Sequence, residues 1–333
     1  MRVDLFDYEL PEELIAQEPV VPRDASRLMI VHRSTSSIEH SEFLCLPSYL
    51  SPGDCIVFND TRVIRGRLYG RRADTGGKVE VLLLEKTGPN LWKALVKPGR
   101  RFSPGAVISF SEGALRARVI EKAEEGTRIL LFTDGKDPEE YGAVPLPPYI
   151  HTELSEPERY QTIYAREKGS AAAPTAGLHF TERVFEKLDQ RGVKRAFVTL
   201  HIGLDTFKPV KVDEVEDHRM HSERYWVSEA AAETINRAHR VVAVGSTSVR
   251  VLETVSDAGG TVKAGSGSTM LFIYPGYQFK RVDALLTNFH LPRSTLLMMV
   301  SAFAGHDLIM EAYRQAVKER YRFFSFGDAM LIL

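Results

Sequence analysis

Histidine has an ordinary pKa of about 6.5, so it gives or takes a proton near neutrality without extreme tuning. Five of the ten histidines of this chain stand in motifs that also carry other candidate groups. His179 stands in "APTAGLHF" between Leu178 and Phe180. His201 follows "AFVTL", with Asp205 four residues on. His218 and His221 lie three apart in "EDHRMHSE", and His290 follows Thr287 and Asn288 in "ALLTNFH". Two further runs end the same way: "IVFND" delivers Asn59 and Asp60, and "VVAVG" passes into Ser246, Thr247 and Ser248, with Arg250 close behind. Imidazoles serve as general acids and bases. Hydroxyls and free amides at a helix start suit a carboxylate or a ribose. Each cluster also has an ordinary reading, because Ser, Thr, Asn and Asp cap helices and an imidazole between apolar neighbours is often a satisfied core group. Their joint occurrence after four separate apolar runs is more than turn formation requires.

Two other motifs carry less. His218 and His221 with neighbouring carboxylates suggest a metal, yet HxxH lacks the i,i+4 spacing of helical zinc motifs and no clear third ligand follows, so no metal is expected. "AGSGSTM" at 264–270 has neither a GK[ST] ending nor a GxGxxG, and reads as a flexible loop ahead of a strand "LFIYPG". A basic stretch, "RVIRGRLYGRR", holds Arg62, Arg65, Arg67, Arg71 and Arg72 with no acid, and "KPGRR" adds Lys97, Arg100 and Arg101. If 65–71 is a strand, its alternation places Arg65, Arg67, Tyr69 and Arg71 on one face. Cations interleaved with an aromatic ring suit phosphate and unstacked bases, although a charge run is also an ordinary solvated face.

The elements that must position these groups fall into two patterns. From 62 to 150, short β-prone runs ("GKVEVLLLE", "NLWKALV", "AVISFS", "LRARVIE", "RILLFTD") alternate with turn residues, which predicts a small antiparallel barrel or sandwich. After the proline-rich "VPLPPYI" the pattern changes to helices alternating with strands. "TERVFEKLDQRG" predicts a helix capped by Thr181 and stopped at Gly192. "STLLMMVSAFAG" is apolar all round and predicts an internal helix. Residues 1–61 lack a complete core, and "GDCIVFNDT" reads as a buried strand of the same α/β part. The expected architecture is an α/β catalytic domain from 1–61 and 151–333, with an inserted β-barrel at 62–150. In such sheets ligands bind beyond the carboxyl ends of the strands, where the polar clusters fall.

Composition narrows the classes. At 333 residues the chain can bury a substantial core, and its net charge of −1 gives no global pull toward nucleic acid. Cys45 and Cys55 have no zinc or disulfide-framework spacing, which suits a reducing compartment. The opening "MRVDLFDYELPEEL" has no basic segment leading into an apolar one, and no run approaches a membrane span. A cytoplasmic protein without membrane attachment is expected.

"APTAGLHF", "FVTLHIGLDTF", "EDHRMHSE", "VGSTSVR", "FIYPGY", "DALLTNFHLPRSTLLMMVSAFAG" and "YRFFSFGDAM", in that order, resemble the S-adenosylmethionine:tRNA ribosyltransferase-isomerase family of queuosine biosynthesis. "LPEELIAQEP", "PGDCIVFNDTRVIRGRL", "PLPPYI" and "YQTIYA" extend the resemblance over nearly the whole chain. It departs at Met270, where a polar residue is expected, and in the short "NRAHRVVAVG" connection. The resemblance implies an α/β catalytic domain with an inserted β-barrel. The implied enzyme moves the ribosyl portion of S-adenosylmethionine onto 7-aminomethyl-7-deazaguanine at the tRNA wobble position and isomerises it to an epoxycyclopentane, releasing adenine and methionine. It implies no metal or separate cofactor, S-adenosylmethionine being consumed; a monomer is expected. On this reading His179, His201, His218, His221 and His290 include the acid and the base. Thr175, Ser246, Thr247 and Ser248 serve ribose hydroxyls and the methionyl carboxylate, with Arg250 as counter-charge and Asp205 also at the substrate. Asn288 reads a base edge, and Phe180 and Tyr274 stack on a ring or belong to the core. Arg62, Arg65, Arg67, Tyr69, Arg71, Arg72, Arg100 and Arg101 hold tRNA. Two rivals are a non-catalytic RNA-binding protein, which the histidine-bearing loops argue against, and a methyltransferase, for which a glycine-rich first strand-to-helix turn is lacking.

Overall fold

The structure is a computed structural model describing residues 1–123, 126–152, 154–203 and 210–333. The chain divides into two compact units, one of Met1–Thr61, Pro148–Arg166 and Pro174–Leu333, the other of Arg62–Pro147 and Glu167–Ala173. In chain order come β1 (Arg27–His32), β2 (Ser37–Glu42), β3 (Asp54–Asn59) and β4 (Thr61–Val63). β5 (Arg67–Arg72), β6 (Lys78–Gly88), β7 (Leu91–Lys97), β8 (Val107–Phe110), β9 (Leu115–Lys122) and β10 (Thr127–Phe132) belong to the second unit. β11 (Glu167–Ser170) pairs with β4 as the chain returns. Then follow α1 (Glu182–Gln190), β12 (Lys194–Leu200), β13 (Glu223–Val227), α2 (Glu229–Asn236), β14 (Arg240–Val244) and α3 (Gly245–Val255). β15 (Gly265–Thr269), β16 (Ala284–Asn288), α4 (Thr295–Ala304), α5 (His306–Lys318) and β17 (Ala329–Ile332) complete the chain.

In the first unit the described residues form a nine-stranded sheet in the order β15-β13-β12-β3-β14-β16-β17-β1-β2. Its centre, β12-β3-β14-β16, is parallel. Those strands are apolar on both faces because both are covered. Cys55 and Val57 of β3 face one core while Ile56 and Phe58 face the other; Val241 and Ala243 of β14 alternate likewise with Val242 and Val244. Full burial of such side chains stabilises by about 1.5–3 kcal/mol each, enough to fix the register. Parallel strands also end on the same side, so Asn59, His201, Gly245 and Asn288 emerge at one edge of the sheet.

The helices form for local reasons. The Thr181 Oγ1 accepts from the Val184 amide at 3.4 Å and caps α1, whose buried residues are Val184, Phe185 and Leu188. Gly192 follows in the left-handed region at φ +73°. α4 is buried around most of its circumference, as its apolar sequence requires.

In the second unit β10-β7-β6-β5-β8-β9 close into an antiparallel barrel. β9 shows why: Leu115, Ala117 and Val119 point into the core while Arg116 and Arg118 face out.

Two expectations are corrected. The Gly/Ser run 265–269 is itself a strand, β15, paired antiparallel with β13, whereas "LFIYPG" is not a strand. Backbone hydrogen bonds along β13 hold β15 without apolar side chains, so hydropathy gives no sign of it. The barrel strand also begins at Arg67, leaving Arg65 in the preceding loop.

Candidate functional site

The strand ends of the first unit open on a cavity of about 370 Å³. Gly203 after β12, the segment from Lys211 through Asp217, His218, Arg219 and His221 to Glu223, and Ser246, Thr247 and Arg250 of α3 line it, with Thr295 at the start of α4. Gly245 lets β14 turn straight into α3: it sits at φ +79°, and a Cβ there would lie 3.5 Å from Ala176 Cβ. The start of α3 thus lies close to Ala176 in the turn Thr175–His179.

One wall is a buried ion pair. Arg250 Nη1 bonds Glu223 Oε2, while its Nε donates to the Leu271 carbonyl at 3.1 Å and its Nη2 to that of Thr269 at 3.3 Å. Glu223 Oε1 accepts from the Gly203 amide at 2.8 Å. Arg250 is therefore committed to the wall and is not the free counter-charge expected of it. Glu223, unremarked at the end of "EDHRMHSE", is the residue that turns it there.

His218 and His221 both line the cavity, His221 exposed and His218 half-buried. The His218 ring meets Phe272 edge-on at 5.3 Å. Partial burial, with the neighbouring imidazole of His221, lowers the His218 pKa below the ordinary value. At neutral pH His218 is thus in its proton-accepting form.

His179 is different. It is buried, stacked on Phe43 at 5.0 Å, and both ring nitrogens are bonded. The Asn288 amide nitrogen donates to the Phe324 carbonyl at 3.2 Å, which fixes the orientation of the amide, so the same nitrogen donates to His179 Nε2 at 3.1 Å. Nδ1 then carries the proton and donates to Ser26 Oγ at 2.7 Å. Burial first, and then the charges of Arg322 and Arg23, push its pKa down to about 3. A neutral ring with no free nitrogen is a core group, so the expectation that His179 carries protons is corrected.

Other expectations change for the same reason. Both amide hydrogens of Asn288 are used within the fold, by His179 and by the Phe324 carbonyl, and its Oδ1 accepts from Thr175 Oγ1 at 3.1 Å, so it sits as a structural link between these segments and not as the free base-reading amide expected. Phe180 is fully buried among Phe43, Phe58 and Phe185 and is core. His290 is buried with Nε2 against Thr287 Oγ1 at 2.7 Å, and burial pushes its pKa down to about 3. His201 Nδ1 meets Thr61 Oγ1 at 2.8 Å, and the ring does not line the cavity. Ser248 Oγ donates back to the Val244 carbonyl at 2.8 Å, facing away from the cavity that Ser246 and Thr247 line. Tyr274 packs against Phe272 at 5.1 Å, outside the lining. Asp205 lies outside the described residues. Among the described residues no three His, Cys, Asp or Glu side chains gather as a metal would need, and no single helix is long and apolar enough to cross a membrane.

On the barrel, the acid-free appearance of the arginine stretch does not survive folding. Arg67 Nε is 3.3 Å from Glu80 and Arg72 Nε is 2.7 Å from Asp74. Arg65 Nε donates to the Gly142 carbonyl at 3.0 Å, and Arg62 is half-buried. Tyr69, Arg71, Arg100 and Arg101 are exposed. Register adds cations that sequence proximity does not reveal: Arg71 lies opposite Lys78 on one side and Ser109 on the other, and Ser109 lies opposite Arg116. Directly opposed residues share a face, so Lys78, Arg71 and Arg116 form one cationic row across four strands.

Strand-end loops bearing histidines and hydroxyls around a cavity, in an α/β unit interrupted by a closed barrel, are the arrangement of α/β enzymes whose ligands bind at the sheet's carboxyl edge. The comparisons with known proteins refine this. The family model described as "Queuosine biosynthesis protein" matches residues 3–332. S-adenosylmethionine:tRNA ribosyltransferase-isomerases of Symbiobacterium thermophilum and Moorella thermoacetica are 59% and 57% identical, each match covering 100% of both chains. The crystal structure of S-adenosylmethionine tRNA ribosyltransferase from Thermotoga maritima is 46% identical with a TM-score of 0.58, covering 99% of this chain and 100% of that one. This chain belongs to the queuosine biosynthesis protein family.

Proposed function

We infer that this protein is an S-adenosylmethionine:tRNA ribosyltransferase-isomerase. It takes the ribosyl portion of S-adenosylmethionine onto the aminomethyl group of 7-aminomethyl-7-deazaguanine in tRNA. The ribose becomes an epoxycyclopentane, and adenine and methionine leave. The observation that carries the reading is full-length similarity at 53–59% identity to relatives bearing that name, in a chain whose motif residues His218, His221, Ser246 and Thr247 line one cavity.

The reaction needs a base for the carbon beside the sulfonium, an acid for departing adenine, and a guide for the amine nucleophile. His218, neutral at pH 7, is suited to remove the proton; His221, exposed beside it, is suited to return one to adenine. His179, His290 and Asn288 hold the surrounding backbone and do not touch the reacting atoms. The Lys78, Arg71 and Arg116 row, with exposed Tyr69, Arg100 and Arg101, offers the barrel's charge complement to the tRNA backbone. No metal or separate cofactor has a part, and the protein works as a cytoplasmic monomer. Incubation with S-adenosylmethionine and tRNA carrying 7-aminomethyl-7-deazaguanine tests the reading. It predicts adenine and methionine; S-adenosylhomocysteine would indicate a methyltransferase, and no product a binding protein.

A further inference from the structure

The amino end of α3 holds a polar group that the fold itself does not satisfy. Thr247 is 6% exposed and lines the cavity, yet its Oγ1 is buried without a hydrogen-bond partner. Such a hydroxyl is costly unless something bound there pairs with it. Around it the donors converge. α3 has eleven residues and no side chain caps its amino end, while the first-turn amides of any helix lack intrahelical acceptors. The helix dipole adds partial positive charge at the same point. Gly245 has no side chain to fill the approach: a Cβ there would stand 3.7 Å from Thr247 Oγ1.

We propose that the amino end of α3 and the Thr247 hydroxyl take the methionyl carboxylate of S-adenosylmethionine. The proposal rests on the ribosyltransferase reading above and orients the substrate within it. A carboxylate only accepts hydrogen bonds, and a helix amino end only donates them, so the two match without remainder. A ribose hydroxyl would also seek an acceptor, which the helix end does not offer. Arg250, the expected counter-charge, is held by Glu223 and two carbonyls, so the helix end and Thr247 take over its role. Lys211 and Arg219 on the cavity lining add positive potential from the opposite segment of chain.

The test compares two unreactive ligands that share the adenosyl group but differ in the amino-acid arm. S-adenosylhomocysteine has the carboxylate, and 5′-methylthioadenosine lacks it. Calorimetric titration of wild type, Thr247→Val and Thr247→Ser is expected to show about a tenfold or greater loss of S-adenosylhomocysteine affinity in the valine variant. Methylthioadenosine affinity is expected to be unchanged, and the serine variant to bind both like wild type. Equal weakening of both ligands, or no weakening of S-adenosylhomocysteine, overturns the assignment. So does a wild type that binds the two ligands equally. Adenine release by the wild type, measured alongside, separates the two levels: its absence sinks the ribosyltransferase reading itself, whereas its presence with any of those binding results sinks only the orientation.

Discussion

His179 Nε2 accepts a hydrogen bond from Asn288 Nδ2 at 3.1 Å, which leaves the imidazole neutral and fully used in a loop whose sequence suggests a proton carrier. The consequence is a stability that depends on pH. An unfolded histidine takes up a proton below about pH 6.5, whereas His179 and His290 are held down to about 3. Between those limits the unfolded chain binds protons that the folded chain refuses, so stability falls as pH is lowered. Each ring contributes up to about 1.4 kcal/mol per pH unit in that window. Urea unfolding should show the protein weaker at pH 5 than at pH 7, with His179→Gln and His290→Gln each flattening the slope; slopes parallel to wild type would refute the burial argument.

The glycine two residues before His179 is required by space. A Cβ on Gly177 would fall 1.9 Å from the Tyr164 hydroxyl oxygen and 3.0 Å from its Cζ. Gly177→Ala should therefore cost roughly 1–3 kcal/mol of stability or more. Adding Tyr164→Phe removes the nearest atom, and the double variant should recover part of the loss. Additive losses in thermal denaturation would point to a backbone requirement at Gly177.

Glu253 is buried, and its carboxylate accepts from the amides of Lys280, Arg281 and Val282 at 2.8, 3.0 and 3.0 Å and from the Tyr277 hydroxyl at 3.2 Å. It holds the segment leading into β16. Glu253→Ala leaves those donors unpaired and should lower stability by roughly 3 kcal/mol or more. Hydrogen exchange at 280–282 should speed up before the rest of the sheet opens; protection equal to wild type would deny the anchoring role.

On the barrel, Arg71→Glu with Arg116→Glu should weaken tRNA binding and shallow its dependence on salt, each lost phosphate contact reducing the log–log slope by roughly 0.9 or less. Arg67→Gln and Arg72→Gln should matter less, since Glu80 and Asp74 already offset those charges. Filter binding across a salt series measures both. Equal affinity for all four proteins would move the tRNA to another surface.

Much of this architecture was legible in the sequence. The double-sided apolar runs announce buried parallel strands, the turn-punctuated β runs announce the barrel, and Thr181 and Gly192 bracket α1 as their types suggest. The site was legible as a set of loops and not as a set of contacts. His179 and His218 both read in the chain as histidines of a candidate loop, and the tertiary neighbours separate them: for His179, Ser26 lies 153 residues away and Asn288 109 away along the chain. Arg250 looks like a free cation until Glu223 folds against it. Arg116 shares no sequence neighbourhood with Arg71 and joins it only through strand register.

In the function proposed above, proton transfer takes place at His218 and His221 in the cavity and not at the buried His179. Adenine release as a function of pH, in His218→Gln, His221→Gln and His179→Gln, tests it most directly. At least one of the two cavity variants should lose on the order of a hundredfold in kcat/KM together with one limb of the pH profile. His179→Gln should keep the profile, with any loss tracking its lower stability. Cavity variants that match wild type, alongside a His179→Gln protein that folds but has lost a limb of the profile, would contradict it.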